Sequence, residues 1–372
     1  MTLDIRQVDP AEADDWDRLA VEVAGGDVCQ SRPWAAYRAR WGWAPRFLRF
    51  GDRFPLLALA RPWPLVGGSG AYLSRGPVAA GEPVARTAER LAVAAEWLAG
   101  HGVDVIASDA EIPAASEYPE LIRRAGFRPI EEVQASRHRM SLPLPDAADE
   151  SAVFGGFSAT TRQLIRGAEG QGLRVASYDA RRPPDGSCPP FDMPPPEDLA
   201  DGGRAAFDRF YGLMVATAAR RHFGLAPRAQ FLDWATTGLA AGLIVHLEVR
   251  SPDGEVLGAA MFYRHGDRLT YSHSGDRADR RRAHPGVSRL LLWRAIQLAM
   301  AEGRAEMDLA GVDIPGARRQ PAEGEPMYGL YAFKASFGAR WVEQTGNHEW
   351  IARPARYLAG RVAGRLARAV GR

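Results

Sequence analysis

Lys334 is the only lysine in a chain of 372 residues; the other 46 of the 47 basic side chains (47 − 1) are arginine. A surface needs only positive charge, and arginine supplies that. A retained lysine points to a place where a compact ammonium on a flexible stem is required and a planar guanidinium fork would not serve. The alternative is a compositional bias that left one lysine by chance. The other chemistry-bearing residues are defined mostly by exclusion. The chain has no GxSxG, HExxH or Walker loop. Its eight histidines lack metal-ligand spacing, so His222, His273 and His284 read as surface or packing residues and no metal is expected. Cys29 and Cys188 are the only cysteines, which excludes a disulfide framework and a cysteine-rich zinc site. Six arginines and no acid follow Glu349: Arg353, Arg356, Arg361, Arg365, Arg368 and Arg372. The last four fall on one helical face, with Leu358, Val362, Leu366, Ala369 and Val370 as apolar neighbours. A basic amphipathic helix can lie on an anionic membrane or contact RNA; the alternative is a helix packed on the body with a solvated face.

A scaffold in two parts is expected around these residues, at roughly 100–200 residues per domain. A composition of 46% hydrophobic and 25% charged residues excludes wholesale disorder. A net charge of +2 excludes a polycation but not a local basic groove. The opening MTLDIRQVDP lacks the apolar core of a signal peptide, and no apolar run reaches the ~18–20 residues of a membrane helix, so a soluble, cytoplasmic protein is expected. Apolar spacing predicts helices over 11–24, from Ser31 and Pro33 to about Trp41, and over 83–100, with strands at 47–50 and 55–60. The second half repeats the pattern: helices at 203–222 and 227–241, a meander of LIVHLEVR, VLGAAMFYRH and LTYSHSG, then a helix at 286–302. His101-Gly102 leads into VDVIASD as Glu302-Gly303 leads into RAEMDLAG, so both halves share helix, glycine stop and strand. The expectation is two similar α/β units with mixed, largely antiparallel sheets, over 1–149 and 150–344, with 345–372 packed back on the first. Residues 150–172 read as a helical connector. The Pro- and Gly-dense stretch 181–203 reads as a solvent loop that can be neither helix nor central strand. A second loop, 311–326, precedes Lys334.

The order of elements in each half resembles acetyltransferases that bind coenzyme A, which cradle a pyrophosphate on a Gly-rich turn at a helix start. The matching segment RRRAHPGVSRLL (280–291) lacks the Arg-x-x-Gly-x-Gly spacing and has Pro285 in the turn; GEPVARTAERL in the first half departs likewise. Five segments carry a more specific resemblance: CQSRPWAAYRARWGW (29–43), YLSRGPV (72–78), TTRQLIRGAEGQGLRV (160–175), TAARRHF (217–223) and YGLYAFKASFG (328–338). In this order, over about residues 5–355, they resemble the Fem family of aminoacyl-tRNA-dependent ligases that build peptidoglycan cross-bridges, in the compact form without a coiled-coil arm.

The resemblance implies two tandem acetyltransferase-like (GNAT) domains. It implies aminoacyl-tRNA as donor, with no separate cofactor, and a lipid- or UDP-linked peptidoglycan precursor as acceptor. Arg38, four residues after Trp34 and in place of the family's usual lysine, would contact the precursor diphosphate, which its fork still fits. Arg220, after Thr217, would have a similar role. Tyr72 and Tyr271 would line the precursor groove, with Trp34 and Phe333 as aromatic members of the substrate-binding motifs. Lys334, after Phe333, would stabilise the oxyanion formed when the stem-peptide amine attacks the ester. Asp109 is the one base nominated. The alternatives are solvated arginines, core-packing aromatics and a capping aspartate. Lys334→Met is expected to leave stability within about 1 kcal/mol, as at other surface sites. Two rival functions stay open: an acyl-coenzyme A-dependent N-acyltransferase of polysaccharide or cell-envelope synthesis, and a non-catalytic tRNA-binding protein.

Overall fold

A computed structural model describes residues 3–133, 138–145, 149–182, 191–221, 224–312 and 319–370, the last six of these as backbone. The chain forms two compact units, Met1–Arg137 with Glu343–Arg372, and His138–Val342. Each holds a seven-stranded sheet.

Strands are numbered along the chain. The first sheet contains β1 (Ile5–Gln7), β2 (Ala44–Phe50), β3 (Phe54–Pro62), β4 (Ser69–Leu73), β5 (Val103–Ser108), β6 (Arg128–Pro129) and β14 (His348–Ile351), in the order β1-β2-β3-β4-β5-β14-β6. β4 and β5 are parallel, and a parallel pair needs a crossover. The helix Val84–Gly100 provides it, burying Ala88, Leu91, Ala94, Ala95 and Leu98 against Leu48, Leu56, Ala58, Leu73 and Ile106. The chain leaves this helix through Gly102, whose φ of 87° is the left-handed conformation that glycine adopts without penalty.

The second sheet contains β7 (His138–Pro143), β8 (Arg174–Tyr178), β9 (Ile244–Arg250), β10 (Val256–Arg264), β11 (Arg268–Asp276), β12 (Glu306–Asp308) and β13 (Arg340–Glu343), in the order β13-β7-β12-β11-β10-β9-β8. Here β11 and β12 are the parallel pair, joined through the helix Val287–Ala301. The β9–β10–β11 meander, helix and β12 repeat β2–β3–β4, helix and β5.

Beyond that shared core the strands are exchanged. The position beside β5 is filled by β14, from near the chain's end, and the position beside β12 by β7, from before the second unit's own meander. The strand His138–Pro143, expected in the first domain, therefore belongs to the second. Met140 and Leu142 are buried in its core, and Leu142 pairs in register with Met307. Other departures are local. The helix expected over 11–24 is confined to Trp16–Ala20, after a 3-10 turn at Pro10–Glu12. The 181–203 stretch does carry a short helix, Pro196–Ala200, because a proline at the first helical position loses no hydrogen bond. Residues 183–190, with Cys188, and residues 313–318 of the second loop lie outside the described residues. Among the described residues no helix is long and apolar enough to cross a membrane.

Gly286, at the start of the helix Val287–Ala301, has no room for a side chain. A Cβ there would collide with the Leu164 carbonyl and the Ala168 methyl of the helix Ala159–Gly170. Gly167, in that second helix, faces open space. Gly286→Ala should destabilise by about 1–3 kcal/mol through overpacking, whereas Gly167→Ala should be neutral or stabilising by up to about 1 kcal/mol through helix propensity. Urea midpoints of the two variants check this, and equal shifts would contradict it.

Candidate active site

In the first unit, Ser31 caps the helix Arg32–Arg40 by accepting from the Trp34 amide at 3.0 Å. This sets Trp34 and Arg38 one turn apart on one face. The Arg38 guanidinium lies 5.4 Å from the Trp34 ring centroid and 4.7 Å from that of Trp43. Arg61, near the end of β3, lies 5.6 Å from the same Trp43 ring. Two guanidiniums thus share one indole, and among the described residues neither is paired with a carboxylate. Burial lowers the Arg38 pKa, and the Arg61 charge adds to that. An anion near both guanidiniums would offset both effects.

Tyr72, on β4, donates its hydroxyl to Asp109 Oδ2 at 2.6 Å, while Asp109 Oδ1 accepts from the Arg75 amide at 2.6 Å. The Arg75 guanidinium stands 3.4 Å from Asp109 Oδ2. Burial raises the Asp109 pKa, opposed by the Arg75 charge and the Tyr72 bond. Burial disfavours charged Arg75, but Asp109 and Glu111 outweigh it and raise its pKa. Both oxygens of Asp109 are thus engaged and the carboxylate is sealed from solvent, tying Tyr72 to the turn at Arg75. Cys29 is buried close by. Burial, with Asp27 adding to it, pushes its thiol well up, so it stays protonated at neutral pH.

In the second unit, Lys334 sits in the last turn of the helix Tyr328–Ala335 and is 3% exposed. Its Nζ donates to the carbonyls of Ala310, at 3.1 Å, and Gly311, at 2.8 Å. Ala310 has a φ of 58°, uncommon for a residue with a side chain. Its amide donates to Asp308 Oδ1 at 2.8 Å, and Asp308 Oδ2 accepts from Thr270 at 3.3 Å. The lysine expected on a surface is therefore an interior clamp on the turn that leaves β12. Phe333, one residue before it, packs edge-on to Phe337 and lies 5.2 Å beneath the Arg289 guanidinium. Arg289 donates to Thr161 at 3.3 Å, and Thr161 bonds to Ser336 at 2.8 Å. Burial lowers the Arg289 pKa, with no carboxylate partner among the described residues.

Tyr271, on β11, is half-buried against Phe262, and burial pushes its hydroxyl up to about 12. Arg220 is neutralised by Asp276, at 3.0 Å, which also binds Arg281. His273 is held down to about 4 by burial, and the half-buried His284 bonds Gln171; His222 lies outside the described residues. No cluster among the described residues could hold a metal. The site residues thus fall into two groups, one in each unit: Trp34, Arg38, Tyr72 and Asp109, and Arg220, Tyr271, Phe333 and Lys334. Sequence reasoning missed Arg61 and Arg289. Arg289 stood inside the segment 280–291, set aside for its spacing, and nothing local marks Arg61.

The fold is of the acyltransferase class: two mixed α/β sheets, each crossed by one long helix between its parallel strands, in the tandem GNAT arrangement. Residues 195–334 match the acetyltransferase (GNAT) domain family. The whole chain shares the fold of FemX, with a TM-score of 0.75 at 16% identity over 96% of this chain and 100% of that one. It is also similar to L-PGS from Bacillus licheniformis (TM-score 0.53, 12% identity, 96% and 98% covered). A conserved protein of unknown function from Bacteroides thetaiotaomicron VPI-5482 is comparable (TM-score 0.56, 10% identity, 93% and 98% covered). No curated protein matches the chain by sequence. The resemblance to the Fem ligases is thus borne out in the fold. Coenzyme A, which the GNAT fold implies, does not fit the turn before Val287. Pro285 has no amide N–H to offer, and Gly286 is pressed against the Leu164 carbonyl.

Lys334→Met should lower stability by about 1–3 kcal/mol, because it strips the donor from the half-buried Ala310 and Gly311 carbonyls. This replaces the value expected for a surface lysine. Lys334→Arg should also destabilise, since the guanidinium fork is larger than the ammonium it displaces. Urea denaturation with an unchanged m-value is the measurement. Wild-type stability in the methionine variant would mean that the turn holds itself.

Proposed function

We propose that the protein transfers an aminoacyl group from aminoacyl-tRNA to the stem-peptide amine of a peptidoglycan precursor, a reaction of the cytoplasm. The observation that carries this reading is the Arg38–Trp43–Arg61 arrangement, two guanidiniums on one indole without a carboxylate. It offers charge-assisted bonds to a diphosphate such as links the precursor to its lipid or nucleotide. The full-length likeness to FemX supports the same direction.

In the reaction the amine nitrogen attacks the ester carbonyl carbon. A C–N bond forms and the carbonyl oxygen becomes an oxyanion. Its collapse breaks the C–O bond to the terminal ribose of the tRNA, and the departing oxygen takes up the proton lost by the nitrogen. The proton passes between substrates, consistent with Asp109 being sealed by Tyr72 and Arg75. Lys334 contributes a positive charge from a site of low effective dielectric, where a fixed charge stabilises an oxyanion more than it would in water. The same ammonium keeps the turn at Ala310–Gly311 in place, so its removal affects kcat as well as folding. Arg220, already bound to Asp276, is a weaker phosphate contact than Arg38.

Purified protein supplied with charged tRNA and a precursor carrying a stem-peptide amine should form a new amide, detected by mass spectrometry. Robust transfer from acetyl-coenzyme A, insensitive to ribonuclease, would replace this reading with the coenzyme A-dependent one. Arg38→Ala and Arg61→Ala should each raise KM for the precursor roughly 10- to 100-fold, the loss of one charge-assisted bond. The KM for aminoacyl-tRNA should not change. Unchanged precursor kinetics in both variants would place the diphosphate elsewhere.

A further inference from the structure

The loop between β3 and β4 turns apolar side chains outward. Leu65 is 99% exposed and holds a φ of 69°, and Val66 beside it is also exposed. A leucine in the left-handed region costs energy, so the turn is not the cheapest way to join two strands. The loop is fastened at its base, where the Trp63 amide donates to the Gly68 carbonyl at 3.1 Å. The Trp63 indole donates to Asp104 Oδ2 at 3.0 Å.

The helix Pro354–Val370 is fastened to the same point. Arg353 and Arg356 stand 3.5 and 3.6 Å from Asp104 Oδ1. Tyr357 packs against Trp63 at 6.3 Å between ring centroids, and any side chain at Gly360 would enter the indole. One buried aspartate therefore ties loop and helix into a single surface. The helix contains no acidic residue. It turns Leu358 (66% exposed) and Val362 (49%) to solvent, next to Arg361. Beside it runs an open groove of about 500 Å³ lined by Trp350, Tyr357, Leu358, Arg361 and the Arg128–Glu349 ion pair.

We propose that this surface docks on an anionic lipid bilayer. Four exposed aliphatic side chains on two elements, with arginines interleaved, match the interfacial zone of a membrane, where apolar side chains enter the acyl boundary and cations meet the headgroups. RNA would use the arginines but has no use for Leu65, Leu358 and Val362. The inference does not depend on which acyl group the protein transfers.

Co-sedimentation of the full chain with vesicles tests it, comparing phosphatidylcholine alone with phosphatidylcholine containing roughly 30% phosphatidylglycerol. Wild type should sediment with the anionic vesicles and release as salt rises. Leu65→Ser combined with Leu358→Ser should bind at least about tenfold more weakly at unchanged Tm, since two inserted side chains are lost. Arg361→Gln should reduce the salt sensitivity. Transfer to a soluble precursor should be the same in all variants. Equal binding to both vesicle types, wild-type binding by the double serine variant, or retention on RNA without vesicle binding would each overturn the proposal.

Discussion

Each sheet depends on a strand borrowed from a distant stretch of sequence. β14 separates β5 from β6, and without it the two residues of β6 would have no partner and β5 would be a bare edge. β7 stands in the same relation to β12 and β13. The supported strands, β5 and β12, are the ones whose ends carry the candidate chemistry. Asp109 follows β5 and Asp308 closes β12. Each acid accepts from a hydroxyl on the parallel neighbour, Tyr72 on β4 or Thr270 on β11, and from a backbone amide of the following turn or of the turn at Arg75. The two units thus use one device: a borrowed strand braces a crossover strand, and an aspartate at its end fixes the local loops.

The elements legible from the sequence were those with strong periodicity and a clear stop. The helix Val84–Gly100 follows from its alanines and leucines and from Gly102, and the β9–β10–β11 meander from continuous apolar runs. Strand exchange was not legible, because β7 carries the same alternation whichever sheet accepts it; its pairing with β12, Leu142 opposite Met307 among them, is a contact between distant stretches of sequence. Lys334 was singled out by its rarity, yet its burial was not. A lysine in the last turn of a short helix reads as solvated until the carbonyls of Ala310 and Gly311 are brought to it from 24 and 23 residues away. Arg61 was invisible for a similar reason. It is linked to Arg38 only through the Trp43 ring that both guanidiniums approach.

Charge balance gives the unpaired arginines their meaning. With 47 basic and 45 acidic residues, most guanidiniums can find a carboxylate, and many do, as Arg264 does with Asp179 and Glu302. Arg38, Arg61 and Arg289 instead lie over aromatic rings. A guanidinium on an aromatic face keeps its charge and much of its fork available for a planar anion. Arginine-rich composition hides such sites in sequence, and the structure separates them by what each cation touches.

The borrowed strand also sets an order of events during synthesis. β1 to β6 leave the ribosome first, but the place beside β5 stays vacant until residues 348–351 emerge. The nascent first unit must hold an open edge while the entire second unit is made and folds. An early folding unit with an unsealed edge is exposed to pairing with other chains. Truncation before β14 would therefore harm the part of the protein made first.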